Sequence, residues 1–192
     1  MKRTFILVAV IAALVAPIWA QSNGSTPDGF NWQLTKDKKG VILGAYTGTA
    51  TVVRIPDKLN NLPVVEIEPD AFSPMTWMDD MVLITSVVIP STVTKIGDKA
   101  FWGQTKLTSV TFSSGLIEIG ASAFRKTAIT SISLPATIKT IGNTAFRECT
   151  ALTTVSIPAA VATITFGANV FQDVTNLNAV TVQALTNRGY KF

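Results

Sequence analysis

The chain has 192 residues, with 16 Lys and Arg against 12 Asp and Glu, one cysteine and no histidine. The missing histidine removes the commonest general base and metal ligand, and one cysteine cannot close an intramolecular disulfide. The formal charge of +4 falls to +2 without Lys2 and Arg3 (14 basic minus 12 acidic), which gives no reason to expect nucleic acid.

Residues 1–20 contain Lys2 and Arg3, an apolar run from Phe5 to Ala16 and then Pro17-Ile18-Trp19-Ala20. This is the pattern of a secretory signal peptide with Ala20 as its last residue. An uncleaved anchor is the rival reading, but it needs ~20 apolar residues and Pro17 breaks the run first. No hydrophobic segment comes later, so no membrane insertion is expected after cleavage. No cysteine follows Ala20 to carry a lipid, and the product is expected to be secreted, held at the cell surface or retained in the periplasm.

Residues 21 to about 29 read as a flexible leader. Phe30–Leu34 and Val41–Leu43 flank the turn Asp37-Lys38-Lys39-Gly40, a hairpin placed to cap the open first coil of a repeat array. The cap region is taken as 21–50, the array as 51–183, and 184–192 as a short tail or cap.

From residue 51 onward two markers keep one rhythm. A proline position falls at 56, 90, 113, 135, 158 and 183, with Ser113 and Gln183 as replacements. Phenylalanine falls at 72, 101, 124, 146 and 171. Around them recur Ile-Thr-Ser-x-x-Ile-Pro-like and Ile-Gly-x-x-Ala-Phe phrases, as in Ile129 to Pro135 and Ile141 to Phe146. A period near 23 is that of a supersecondary unit that buries its apolar face only against its neighbours, hence a solenoid. Apolar residues three and one before the proline position, such as Val155 and Ile157, have the period-2 pattern of a strand with one buried face. The phenylalanines are expected to stack as a buried column. Gly97, Gly120 and Gly142 are read as points of close backbone packing, since Glu68 and Thr165, aligned with them, speak against a left-handed requirement. Cys149 sits in a repeat column and is read as a buried structural thiol.

The connection from Phe72 to Ile84 is enlarged and holds Met75, Trp77, Met78 and Met81. Two readings stand: a short helix whose methionines fill core, or an adaptable apolar contact patch at Trp77 and Met78. The outward strand positions are Val52 and Arg54, Ser86 and Val88, Ser109 and Thr111, Ser131 and Ser133, Thr154 and Ser156, and Ala179 and Thr181. In the middle coils they form a hydroxyl ladder. It is either the usual dress of a solvent-facing strand or a binding surface of a few hundred Å². The final residues, with Tyr190 and Phe192, either fold back as a cap or leave an edge for weak self-association through the last coil.

Leu-x-x-Val-x-Ile-Pro followed by Ile-Gly-x-x-Ala-Phe, over about residues 40 to 183, resembles the BspA-like, or treponemal-class, leucine-rich repeat. Two departures stand out. Only Cys149 matches the family's cysteine column, and the last coil has extra residues, read with Ile164 in the place of Ile141. The resemblance implies a mostly β, α/β-type repeat solenoid of about five to six coils, with a parallel β-sheet on one face. It also implies an exported protein that binds protein or glycan at a cell surface or in extracellular matrix, as in adhesion, and with no catalytic group to be found in the sequence an enzyme is not expected. A structural, self-assembling envelope role is the alternative. No catalytic, cofactor or metal site is expected, and the candidate partner-binding residues are Arg54, Ser86, Val88, Ser109, Thr111, Ser131, Ser133, Thr154, Ser156, Trp77 and Met78.

Overall fold

The computed structural model describes residues 23–74 and 82–192. Residues 1–22, with the expected signal segment, and residues 75–81, with Trp77 and Met78, lie outside the described residues. The strands run in chain order as β1 (Asn23–Ser25), β2 (Phe30–Leu34), β3 (Val41–Tyr46), β4 (Val52–Arg54), β5 (Lys58–Leu59), β6 (Leu62–Ile67), β7 (Ser86–Ile89) and β8 (Lys95–Ile96). They continue as β9 (Ser109–Phe112), β10 (Glu118–Ile119), β11 (Ser131–Ser133), β12 (Thr140–Ile141), β13 (Thr154–Ser156) and β14 (Thr165–Phe166), and end in helix α1 (Ala179–Thr186).

Each coil gives one strand to each of two sheets. β4, β7, β9, β11 and β13 form a five-stranded parallel sheet, the one the period-2 pattern predicts. A second parallel ladder joins β3, β6, β8, β10, β12 and β14. Its members after β6 are only two residues long, too short to leave a readable alternation in the sequence. The hairpin β2–β3 pairs antiparallel, and β1 adds to β2, so part of the stretch read as a flexible leader is a third strand of the cap.

The core is one continuous column. Val53, Ile55, Val87, Ile89, Ile132, Leu134 and Val155 enter from the first sheet, and Ile67, Ile96, Ile119 and Ile141 from the second. Between them Phe72, Phe101, Phe124, Phe146 and Phe171 stack with centroids 4.8–5.5 Å apart and planes within 12°. Tyr46 and Phe30 continue the stack at the amino end, and Tyr190 closes the other end edge-on to Phe171 at 5.2 Å. The N–H groups of Phe101, Phe124 and Phe146 donate to the next coil, at Ala123 O, Ala145 O and Val170 O, at 2.8–3.0 Å.

The glycines behave as read from sequence. A Cβ on Gly97, Gly120 or Gly142 would lie 2.5–2.7 Å from backbone atoms of the preceding coil. The left-handed residues fall two positions later, at Asp70, Lys99, Ser122, Thr144 and Asn169, and again just beyond the phenylalanine at Gly103, Lys126, Glu148 and Asp173. In the last coil the sequence register needs correction. β14 pairs Ile141 with Phe166, so Phe166 and Gly167, not Ile164 and Thr165, take the Ile-Gly places, and the two extra residues precede the strand.

The sixth outward strand expected at Ala179 and Thr181 is also absent; both residues lie in α1. Asn178 caps the helix by accepting from Thr181 N–H at 2.8 Å, and no proline follows to stop it. The helix closes the sheet edge as a coil would. Val155 N–H donates to Thr181 Oγ1 at 3.1 Å, and Asn178 N–H donates to Thr153 O at 2.9 Å. Phe171 N–H, which lacks a following coil, donates to the Tyr190 hydroxyl at 3.1 Å. The carboxyl end thus folds back as a cap, and β13 offers no open edge for self-association.

Candidate functional site

The register of the five-stranded sheet gathers the predicted outward residues into two columns. Val52, Ser86, Ser109, Ser131 and Thr154 align in one, while Arg54, Val88 and Thr111 and then Ser133 and Ser156 form the other. Of the eleven candidates the nine within the described residues share this face, and Val52, 59% exposed, joins them. Arg54 is its one charged side chain.

A neighbouring column distinguishes structural from free hydroxyls. Thr85, Thr108 and Thr153, each just before its strand, donate Oγ1 to the main-chain carbonyl one coil back: Thr85 to Thr51 O, Thr108 to Thr85 O and Thr153 to Thr130 O, at 3.1–3.2 Å. Those hydroxyls lock coil to coil. By contrast, the hydroxyls of Ser86, Ser109, Thr111, Ser131, Ser133 and Ser156 make no hydrogen bond among the described residues, and the Thr154 hydroxyl meets Asn178 Nδ2 at 3.1 Å. In the sequence both columns belong to one recurring Ser/Thr pattern. The signal that separates them is position: of the four threonines directly after a buried Ile or Leu, Thr85, Thr108 and Thr153 lock to the coil behind and Thr130 does not, while of the residues one and three later only Thr154 is bonded through its side chain.

The ladder loosens at its centre. β9 and β11 pair only at Ser109–Ser131, and a depression of about 240 Å³ opens there, lined by Ser109, Thr111, Phe112, Ser131 and Ser133. The opening coincides with Phe112, which stands where other coils have Ile89 or Leu134 and lies edge-on to Phe124 at 5.6 Å. Ser113 follows where those coils have proline.

The remaining polar groups are structural. Gln104, buried, donates Nε2 to Phe72 O at 2.6 Å and accepts from Ile84 N–H at 2.9 Å, so one side chain ties both ends of the enlarged connection to the next coil. Gln104→Ala leaves a buried carbonyl and a buried N–H unpaired, and the expected loss in urea unfolding is about 2–4 kcal/mol. A loss under about 1 kcal/mol would remove Gln104 from that role. Cys149 is buried, as read from sequence, and donates Sγ–H to Phe124 O at 3.0 Å; burial pushes its thiol up, away from the reactive thiolate. Arg125 pairs with Glu148 at 2.5 Å, and Arg147 bridges Glu148 and Asp173 at 3.4 and 3.2 Å. The Arg125 guanidinium holds the Glu148 carboxyl below its usual range. Among the described residues no cluster of Cys, Asp or Glu could hold a metal ion, and no helix is long and apolar enough to cross a membrane.

No curated protein matches the chain. Among solved structures it is similar to a leucine-rich-repeat protein of T. pallidum, at 24% identity and TM-score 0.52, over 88% of this chain and 97% of that one. It is also similar to a leucine-rich-repeat protein from Bacteroides capillosus, at 26% identity and TM-score 0.63, over 72% of this chain and all of that one. A leucine-rich cell-surface protein from Faecalibacterium prausnitzii matches at 21% identity and TM-score 0.55, over 83% of this chain and 54% of its own length. The model of the BspA-type leucine-rich-repeat region matches residues 65–190 with six copies. With stacked phenylalanines, close-packed glycines and paired parallel sheets in each coil, this chain belongs to the BspA-type leucine-rich-repeat family.

Proposed function

We propose that the chain is exported by its first twenty residues and binds a protein or glycan at a cell surface or in extracellular matrix through the five-stranded face. The observation that carries this reading is the contrast between two hydroxyl columns of one sheet. One is consumed in locking coils together, and the other, Thr154 apart, is left unpaired among the described residues on the outward face. A surface cell-binding role also fits the description of the F. prausnitzii neighbour as a cell-surface protein.

The face is small. Five strands at ~4.8 Å spacing span about 19 Å, and four residues along each give about 13 Å, or roughly 250 Å² against the ~800 Å² per partner of a standard interface. Single-copy affinity is therefore weak, and binding to a repetitive glycan or to many copies on a surface gains from multivalency. The alternative of self-assembly through the last coil loses its route, because α1 covers the edge of β13.

The test is a screen of the exported chain, displayed multivalently on beads, against matrix proteins and cell-surface glycans. Capture of a defined ligand is expected, and capture of none would contradict the reading.

A further inference from the structure

The two ends of the five-stranded sheet are finished differently. At β13 the edge is closed by α1, whereas β4 is the other terminal strand and has β7 as its one neighbour in that sheet. The hairpin cap extends the second sheet through β3, not this one. Thr51 O accepts from Thr85 and Ser86 N–H, and Ile55 N–H donates to Val88 O, so residues 51 and 55 face β7. By strand alternation Val53 does too, and the N–H and C=O of Val52 and Arg54 point the other way. No partner for them exists among the described residues.

Those groups face a groove of about 510 Å³. Val52 and Arg54 form one wall, and Asp28, Gly29, Thr47 and Thr49 the other. A three-residue strand, at ~3.4 Å rise, ~4.8 Å width and ~10 Å across both faces, fills roughly 490 Å³. The groove therefore has room for one extended chain beside β4.

We infer that β4 is a docking edge for an extended peptide of a partner protein, which adds antiparallel as a further strand and sets a carboxylate opposite Arg54. An antiparallel strand in this register exchanges both main-chain hydrogen bonds with Val52 and with Arg54, satisfying all four free groups. Arg54 is the charge that a cross-strand neighbour meets directly, which favours an acidic residue there, with a β-branched residue opposite Val52. The site is separate from the hydroxyls of the middle strands and stands even if they bind nothing.

The experiment titrates the ¹⁵N-labelled exported chain with the capped probe acetyl-Thr-Glu-Thr-Val-Thr-amide. The amides of Val52 and Arg54 should shift, with half-saturation near about 1 mM, and a probe with Lys for Glu should bind roughly twofold to fivefold more weakly. Val52→Pro removes an N–H that faces the groove and leaves the ladder to β7 intact, so binding should fall about tenfold with unchanged melting. Arg54→Glu should invert the preference between the two probes, a second readout if the proline variant melts early. Unmoved Val52 and Arg54 amides at about 5 mM probe would overturn the inference. So would undiminished binding by a folded Val52→Pro chain, or amide shifts that follow protein concentration without peptide and so assign the edge to a second copy. Ser131→Lys with Ser133→Lys should leave probe affinity unchanged; loss there would move binding to the open face and overturn the edge assignment.

Discussion

Phe124→Ala is expected to cost about 5 kcal/mol, the upper end for truncating a buried phenylalanine. Phe124 is fully buried, with Phe101 and Phe146 stacked at 5.1 and 5.4 Å and the edge of Phe112 at 5.6 Å. Its removal deletes three aromatic pairs, each worth about 0.5–1.5 kcal/mol beyond area, as well as leaving a cavity. In a solenoid each coil contacts only its neighbours, so the defect falls on the sole link between the two halves of the array. Urea unfolding followed by circular dichroism should show the midpoint drop, with the single transition broadening or splitting as the halves uncouple. A loss below about 2 kcal/mol would mean that the stack is ornament and the strand ladders alone hold the coils.

Gly142→Ala is expected to destabilise by about 3 kcal/mol, although it adds one methyl group. The new Cβ would stand 2.6 Å from Ala121 N and 2.7 Å from Gly120 C, both backbone atoms that cannot rotate aside. Relief requires parting two coils where Gly142 N–H donates to Ile119 O at 2.7 Å. For a domain of this size the change reads as a fall of roughly 6–12 °C in Tm. Gly103→Ala is the control: its φ of +73° costs an alanine only about 1 kcal/mol, and its Cβ would meet the Pro74 ring at an ordinary 3.4 Å. Equal losses at the two sites would contradict the close-approach account of Gly142.

The strong parts of the fold were legible because they repeat. Period-2 burial disclosed the five-stranded sheet, the phenylalanine spacing disclosed the aromatic column, and the substitution of Glu68 at a glycine place pointed to packing and not to backbone handedness. What was hidden was hidden for physical reasons. The strands of the second sheet are two residues long, and the left-handed positions hold Lys99, Ser122 and Thr144, side chains that carry no such signal. Around Gln183 the spacing continues although the chain has turned helical, because Thr181 and Tyr190 supply with side-chain oxygens the acceptors that another coil would supply with its backbone. At the site, the residues of the outward face were legible by alternation. The division between locking and free hydroxyls was not, since Ser and Thr look alike until the carbonyl one coil back is located.

The claim that the free hydroxyl columns are the working surface is tested most directly by measuring affinity for a captured ligand with the double variant Ser131→Lys, Ser133→Lys. Those side chains flank the central depression and bear no structural hydrogen bond among the described residues, so melting should be unchanged and affinity should fall at least about tenfold, or 1.4 kcal/mol. Lys139→Glu, placed just before β12 on the second sheet, is the control and should change affinity less than twofold. Binding that survives the double lysine variant and is lost in the control would contradict the account.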